Sequence, residues 1–382
     1  MEFINNIDAF FIDMAMNQRC TFLNYFLGAF TYFGNSGIGW IILGLVLLSF
    51  RRTRKMGFAV LICLLFTWLL SNVTLKAIIA RPRPFVTFEN LYTVIPPLSD
   101  FSCPSGHASS SFTAATAIFL YNKRAGIPAF ITAFLVSLSR IYFTVHYFSD
   151  VLLGSMIGIF MAILIVKVIF PAFGKIYRKK LYRSTETRCI ADGFCASPIP
   201  DDVFARINGI SYKDNDDIKR NMLHYLTVKY IGFDGLPHDG EMIANRLISG
   251  QLLRIFKKLY DRGYKIEKIR LIDEYGADDD KSMTDNNSSA FCYRTIANQK
   301  TLSNHALGLA VDINPLYNPY IQNGKVLPEA SRPYADRNKD FQHKLDKKDP
   351  AVRLFKSYGF KWGGDWKNGS LDWQHFDKKL HL

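Results

Sequence analysis

Three short polar clusters interrupt the apolar first half of this sequence, and their residue types are those that handle a phosphate ester. They are Lys76-Ala-Ile-Ile-Ala-Arg-Pro-Arg83-Pro84, then Pro104-Ser105-Gly106-His107, then Ser139-Arg140 followed by His146 and Asp150. Ionisable groups beside hydrophobic runs mark a functional site by default. Lys76, Arg83 and Arg140 suit the equatorial oxygens of a transferring phosphoryl group. His146 and Asp150 stand four apart, so the spacing predicts a shared helix face, where the carboxylate holds one imidazole nitrogen and the other attacks phosphorus. Ser105-Gly106-His107 predicts a helix opening whose free N–H groups face an anion, with His107 protonating the leaving oxygen.

A second set lies near the end of the chain, in Ser303-Asn-His305-Ala-Leu-Gly308-Leu-Ala-Val-Asp312 and Asp372-Trp-Gln-His375. Zinc hydrolases hold the metal with three N/O ligands, keep a fourth position for water, and use a nearby carboxylate as base. His305, Asp312 and His375 are the expected zinc ligands and Asp372 the expected base. Four of the eight histidines thus fall into two constellations. His224, His238, His343 and His381 belong to no motif and read as surface residues, and Asp278-Asp279-Asp280 reads as a solvated loop.

The first set needs a membrane scaffold and the second a soluble one. The chain has 382 residues, and its composition changes near residue 184 from membrane-like to soluble, which predicts two domains. Phe3, Ile4, Ile7, Phe10, Phe11 and Met14 recur at helical spacing, so an amphipathic helix lying on a membrane is expected there. Thr21 to Phe50 is apolar but broken at Gly34-Asn-Ser-Gly37, which fits one tilted span or a shallow helix followed by a short span. Met56 to Ile79 is long enough to cross a bilayer core. Ala108 to Tyr121, Ile127 to Tyr142 and Val151 to Phe173 complete the apolar set, and their order brings all three polar clusters to one membrane face.

The formal net charge of +14 concentrates in Arg51-Arg52-Thr-Arg54-Lys55, Lys123-Arg124 and Lys175 to Arg183. Each stretch flanks an apolar run, so they read as cytoplasmic anchors under the positive-inside rule, with no nucleic-acid partner. The phosphate-handling face then points outward, and the same rule puts the soluble domain in the cytoplasm. The six cysteines show no Cys-x-x-Cys pair, so neither a zinc ribbon nor a disulfide framework is expected; Cys189 and Cys195 are near enough to pair, without a pattern that calls for it. No basic n-region or small-residue cleavage site opens the chain, so no cleavable signal peptide is expected. Residues 184–200, with Ser-Pro-Ile-Pro, read as a linker. Beyond it, Ile243 to Leu259 has helical periodicity and Lys268 to Ile272 looks like a strand, as in an α+β domain.

Lys-x6-Arg-Pro, Pro-Ser-Gly-His and Ser-Arg-x5-His-x3-Asp, in this order, resemble the signature of the type 2 phosphatidic acid phosphatase superfamily over roughly the first 180 residues. The resemblance implies His146 as a nucleophile acting through a phosphohistidine, His107 as general acid, Asp150 as its orienting partner, and no cofactor. Vanadate haloperoxidases share the phosphate-binding signature, but a membrane-spanning scaffold disfavours them. Ser-x-His-x-x-Gly-x-Ala-x-Asp-Ile-Asn-Pro with the later Asp-x-x-His resembles the zinc D-alanyl-D-alanine carboxypeptidase and L-alanyl-D-glutamate endopeptidase family. Tyr293-Arg294 and Trp362-Gly-Gly-Asp-Trp366 add to that match. It implies hydrolysis of cell-wall peptides, with Arg294 stabilising the oxyanion or binding a substrate carboxylate. Many members carry Glu where Asp372 stands, so the shorter side chain reaches the water from farther away.

The expected architecture is multi-domain: an all-α polytopic membrane helix bundle over residues 1–183, a linker over 184–200, and a soluble α+β zinc peptidase domain over 201–382. The expected activity is that of a bifunctional bacterial envelope hydrolase. Its partners are a membrane lipid phosphate, undecaprenyl diphosphate first and glycerophospholipid phosphates second, and peptidoglycan or precursor peptides. A peptidoglycan-binding zinc domain without catalysis is the alternative for the second half. Mature wall peptides lie outside the cell, which sets the charge rule against the resemblance on the side of the membrane where that half works.

Overall fold

The computed structural model describes residues 2–88, 91, 93–96, 98–295, 301–367 and 369–379, so His381 lies outside the described residues. The chain forms two compact units, Met1–Gly174 and Lys175–Leu382.

The first unit is helical. Helix α1 (Glu2–Asn17) is followed by α2 (Thr21–Gly34) and α3 (Ile38–Ser49), which meet at a bend where Ser36 and Gly37 take φ of 50° and 68°. That bend answers the Gly34-Asn-Ser-Gly37 break. Helix α4 (Arg54–Trp68) runs through a π segment (Leu69–Leu75) into α5 (Lys76–Ile79), and α6 (Pro84–Thr87) is a single turn. Then come α7 (Gly106–Tyr121), α8 (Lys123–Tyr142) and α9 (Phe148–Ile163), the last continuing through a second π segment into α10 (Phe170–Arg183). Four helices among the described residues are long and apolar enough to cross a membrane: Thr21–Ser49, Arg54–Thr87, Lys123–Tyr142 and Phe148–Arg183. Their outer faces carry exposed Phe22, Ile42, Phe58, Ile131, Phe134, Met156 and Phe160, as lipid contact requires.

Helix α7 lies among α4, α8 and α9 and buries Ala108, Ser109, Ser111, Thr113, Ala114, Ala115 and Ala117. Small residues let helix backbones approach closely in a membrane. A Cβ added at Gly158 would fall 2.4 Å from the Ser109 carbonyl oxygen, and one at Gly154 would fall 2.6 Å from that of Ser105. Gly158→Ala must therefore push α9 off α7, and a cost of roughly 1–3 kcal/mol is expected for such overpacking. A thermal melt in detergent checks it; an unchanged Tm would mean that the two helices are not in fixed contact.

The second unit is α+β. A four-stranded antiparallel sheet runs in the order β1 (Arg188–Ala191), β2 (Phe194–Pro198), β3 (Leu223–Ile231), β4 (Pro237–Asn245), with α11 (Asp201–Ile207) between β2 and β3. Residues 184–200, expected as a linker, thus supply two strands, tied by a Cys189–Cys195 disulfide. Helix α12 (Arg246–Asp261) packs on this sheet with Ile248, Leu252, Leu253 and Phe256 buried; Asn245 caps it, so its start lies three residues beyond the expected Ile243. The expected strand from Lys268 narrows to β5 (Lys268–Ile269), paired in parallel with β6 (Asn287–Ser288), while Ile272–Tyr275 forms a 3-10 turn; α13 (Asp279–Thr284) lies between β5 and β6.

A second sheet is β10 (Lys361–Trp362), β12 (His375–Asp377), β7 (Ala310–Asp312), and a third is β11 (Ser370–Asp372), β8 (Tyr320–Gln322), β9 (Lys325–Leu327). Helix α14 (Pro350–Ser357) adds Phe355, stacked on Phe376 at 4.3 Å, to the core. His224, expected at the surface, is buried on β3 with Nδ1 3.0 Å from Ser249 Oγ. His238 is exposed beside Asp234, and His343 is partly buried, stacked on Phe233.

Candidate functional site

The first site forms where α5, the start of α7 and the turn before α9 meet. Ser105 Oγ caps α7, accepting from the Ala108 N–H at 3.5 Å, and the Ser105 N–H donates to the Asp150 carbonyl at 3.0 Å. A Cβ at Gly106 would fall 2.6 Å from Asn72 Oδ1, so any larger residue there must shift the Asn72 side chain on the π segment. Arg83 donates through Nη1 to the Val145 carbonyl at 2.7 Å, and the same nitrogen lies 3.3 Å from His146 Nε2. With Nε2 accepting from a guanidinium, the ring proton sits on Nδ1, which faces Asp150 Oδ2 at 3.7 Å. Neither His146 Nδ1 nor Arg140 Nε has a hydrogen-bond partner among the described residues.

His146 does not share a helix with Asp150. It sits in the turn between α8 and α9, behind Thr144 at φ 52°, and its N–H and that of Val145 both donate to the Arg140 carbonyl at 3.3 Å. A β-branched residue in the left-handed region is strained, and such strain gathers at functional sites. Asp150 lies in the first turn of α9, where Oδ2 accepts from the Tyr147 N–H at 3.0 Å and from Ser102 Oγ. Its other oxygen pairs with Arg81 Nη1 at 2.9 Å.

A cavity of about 930 Å³ opens over this turn. Its polar end carries Lys76, Arg83, Gly106, His107, His146 and Asn72, and one side is Ile41, Leu61, Leu64, Leu65 and Trp68. Ser105, Arg140 and Asp150 are buried and do not line it. Arg140 Nη1 donates to Thr31 Oγ1 at 2.6 Å, and the Thr31 backbone lies close to His107.

Several of these partners escape a reading of the sequence. Arg81 stands inside the first cluster and pairs with Asp8 at 2.8 Å as well as with Asp150; Asp8, on the apolar α1, also accepts from the Ser149 N–H and Oγ. A carboxylate on an otherwise apolar helix face was the available signal. Thr31 offered none. Asp100 is paired with Lys76, and with Arg83 Nη2 at 2.6 Å.

The second site is set by strand register. Strands β7 and β12 pair Asp312 with His375, so both side chains project from neighbouring strand ends. His305 is delivered by a turn ending at Gly308, where φ is +62° and a Cβ would fall 2.7 Å from the Asn245 nitrogen. His305 Nε2 lies 3.1 Å from His375 Nδ1 and 3.2 Å from one Asp312 oxygen, and His375 Nδ1 lies 3.1 Å from the other. The three residues offer ligand atoms within 4.8 Å of one another. His305 Nδ1 is 2.5 Å from the Ala290 carbonyl, so it carries the proton and leaves the Nε2 lone pair free, the arrangement that metal-binding histidines use.

Electrostatics fit a cation at this point. Burial works against a charged His375, yet Asp312 and Asp372 outweigh it and push the imidazolium up to about 9. Burial would raise Asp312, but the two imidazoles hold it well below the carboxylate range. Burial pushes Asp372 up to about 6; its Oδ2 is 4.0 Å from His375 Nδ1, and its buried Oδ1 has no partner among the described residues. Two nitrogens, one carboxylate and an orphaned acid beside them suit Zn²⁺ with a water in the fourth position. Trp366 stands edge-on to His375 at 5.5 Å. Arg294 Nε pairs with Asp279 at 2.5 Å, and that pair lies within electrostatic reach of Asp312. The acidic run is therefore structured: Asp278 caps α13 and Asp279 pairs with Arg294, while Asp280 and much of the Asp278 side chain stay in solvent.

A family model described as the PAP2 superfamily matches residues 36–173, and one described as D-alanyl-D-alanine carboxypeptidase matches residues 297–378. The chain is 37% identical over 130 residues to the undecaprenyl-diphosphatase of Sulfolobus acidocaldarius, which covers 34% of this chain and 63% of that protein. It is 29% identical over 192 residues to the bacitracin transport permease protein BcrC of Bacillus licheniformis, covering 48% of this chain and 91% of that protein. Among solved structures, LpxE of Aquifex aeolicus shares 30% identity at a TM-score of 0.38, over 41% of this chain and 92% of that one.

Proposed function

We propose, for a chain that carries a PAP2 superfamily domain over residues 36–173 and a D-alanyl-D-alanine carboxypeptidase-like domain over residues 297–378, two hydrolytic activities of envelope metabolism. The first unit removes the terminal phosphate of a polyprenyl diphosphate, with undecaprenyl diphosphate the first candidate because a relative bears that name. The observation that carries it is the approach of Arg83 to His146 Nε2 at one end of a cavity with an apolar side.

In the proposed cycle, His146 Nε2 attacks the terminal phosphorus while Lys76, Arg83, Arg140 and the N–H groups opening α7 hold its oxygens. The N–P bond forms, the bridging P–O bond breaks, and His107 gives its proton to the departing lipid monophosphate. Asp150 steadies the imidazolium. Water, deprotonated by His107, then breaks the N–P bond and releases phosphate. No metal takes part in this cycle.

The second unit cuts peptidoglycan-type peptides. Zn²⁺ held by His305, Asp312 and His375 would polarise the scissile carbonyl and acidify a bound water. Asp372 takes that proton and passes it to the leaving amine. Arg294, steadied by Asp279, meets a substrate carboxylate or the oxyanion.

The side of the membrane on which this happens divides two readings. The basic stretches at Arg51–Lys55, Lys123–Arg124 and Lys175–Arg183 favour a cytoplasmic second unit acting on precursor or recycled peptides. The Cys189–Cys195 disulfide favours an oxidising, external compartment. Single cysteines at Ser99 and Asp214, in a background without native cysteines, separate them. A membrane-impermeant thiol reagent should label Ser99→Cys alone in intact cells, and labelling of both overturns the cytoplasmic reading. For the lipid, a panel on purified protein should release phosphate from polyprenyl diphosphates faster than from glycerophospholipid phosphates, and the reverse order would transfer the assignment to the latter.

A further inference from the structure

Resting on the phosphatase reading above, we propose that Asp100 is an internal anion that occupies the phosphate subsite between turnovers and selects for diphosphate ends over free phosphate. Two of the three cations assigned to phosphate are already engaged by this one residue. Its side chain pairs with Lys76 Nζ through Oδ2 and with Arg83 Nη2 through Oδ1 at 2.6 Å, and its backbone carbonyl accepts from Arg83 Nε at 2.7 Å. These contacts span the same donors that the equatorial oxygens of a phosphoryl group require. The cations are nearly enclosed, whereas the Asp100 side chain is 53% exposed and lines the cavity. The cations are thus fixed parts of the site, and the carboxylate is the movable one.

An anion on the same chain competes at an effective concentration that is on the order of millimolar for a short flexible tether. An incoming ligand binds only by the margin over that competitor. A diphosphate end carries more charge and more oxygens than one carboxylate and displaces it. Orthophosphate, the product, has a smaller margin, so the return of Asp100 expels it. Arg140 is not paired with Asp100; it lies buried behind the cavity lining, with Nη1 donating to Thr31 Oγ1. Burial would raise the carboxyl, but the Lys76 and Arg83 pairs hold it at about 2, so the competitor is charged at any working pH.

The test is the affinity of the purified full-length protein for inorganic phosphate. Asp100→Asn removes the charge and keeps the backbone bond to Arg83, and the inhibition constant of phosphate against hydrolysis of a short-chain prenyl diphosphate should fall at least tenfold. The KM for the diphosphate should fall less. Asp100→Glu, which keeps the charge, should stay within about threefold of wild type. Phosphate-induced rise in Tm reads the same affinity without turnover. Should Asp100→Asn not purify folded, Asp100→Ser carries the same expectation. Unchanged or weaker phosphate binding in a folded neutral variant overturns the proposal. A wild type that binds phosphate but hydrolyses no prenyl diphosphate strikes the phosphatase reading instead, and the phosphate affinities of wild type and variants still decide the role of Asp100.

Discussion

His146→Ala abolishes phosphate release, with an expected loss on the order of 10⁴-fold or more, since removing a nucleophile removes the whole covalent route. The fold survives, because the turn that holds His146 is built by backbone bonds to the Arg140 carbonyl and does not depend on the ring. Chelators should leave wild-type phosphatase untouched. Incubation of the wild type with ³²P-labelled substrate followed by an alkaline quench should trap acid-labile, base-stable label on the protein, and the variant should trap none. Phosphate release that persists in His146→Ala, or that needs a divalent metal, would refute the nucleophile.

The second large effect separates metal binding from turnover. His305→Ala removes one of the three proposed ligands together with its hydrogen bond to the Ala290 carbonyl, so zinc and peptide hydrolysis should disappear together. Asp372→Ala should retain zinc and lose roughly 10²–10⁴-fold in rate, the usual worth of a positioned acid or base. Zinc content by elemental analysis and hydrolysis of a D-alanyl-D-alanine peptide read the two effects on the same samples. A protein that purifies without zinc, or an Asp372→Ala variant as fast as wild type, would end the peptidase assignment. Both experiments can be run on the full-length chain, since chelation distinguishes its two activities.

Each site was legible to the extent that its residues are close in sequence or carry a motif. Lys76, Arg83, Gly106, His107 and His146 meet at the cavity, Ser105 lies buried behind its lining, and His305, Asp312 and His375 converge. What spacing could not express is the path of the chain between motif members. Four residues from His146 to Asp150 looked like one helical turn, but Thr144 at φ 52° puts His146 outside the helix and leaves Asp150 bound to Arg81 and the Tyr147 N–H. Thr31 reaches Arg140 across 109 positions, and Asp8 reaches Ser149 across 141. Such contacts arise from tertiary packing, which no local pattern encodes. Residues 184–200 looked like a linker because Pro and Ser are frequent there, yet β2 finds its partner β3 some thirty positions later. His224 looked like a surface residue for want of a motif, and is buried because its strand has α12 on that side.

The wall of the first cavity has a consequence for how the enzyme counts its substrate. Ile41, Leu65 and Trp68 line the cavity and are exposed apolar residues of helices long and apolar enough to cross a membrane, which suits a mouth open toward lipid. Withdrawing only ten methylenes of a lipid chain into water would cost roughly 8 kcal/mol at ~0.8 kcal/mol each. Under the proposed lipid phosphatase reading, such a mouth would avoid that withdrawal: a headgroup would turn in toward Arg83 and His146 while its tail stayed solvated by other lipids. The quantity expected to saturate such an enzyme is the mole fraction of phosphorylated lipid in its own leaflet. Molarity in the surrounding water does not enter, and inert lipid added to the bilayer acts as a diluent.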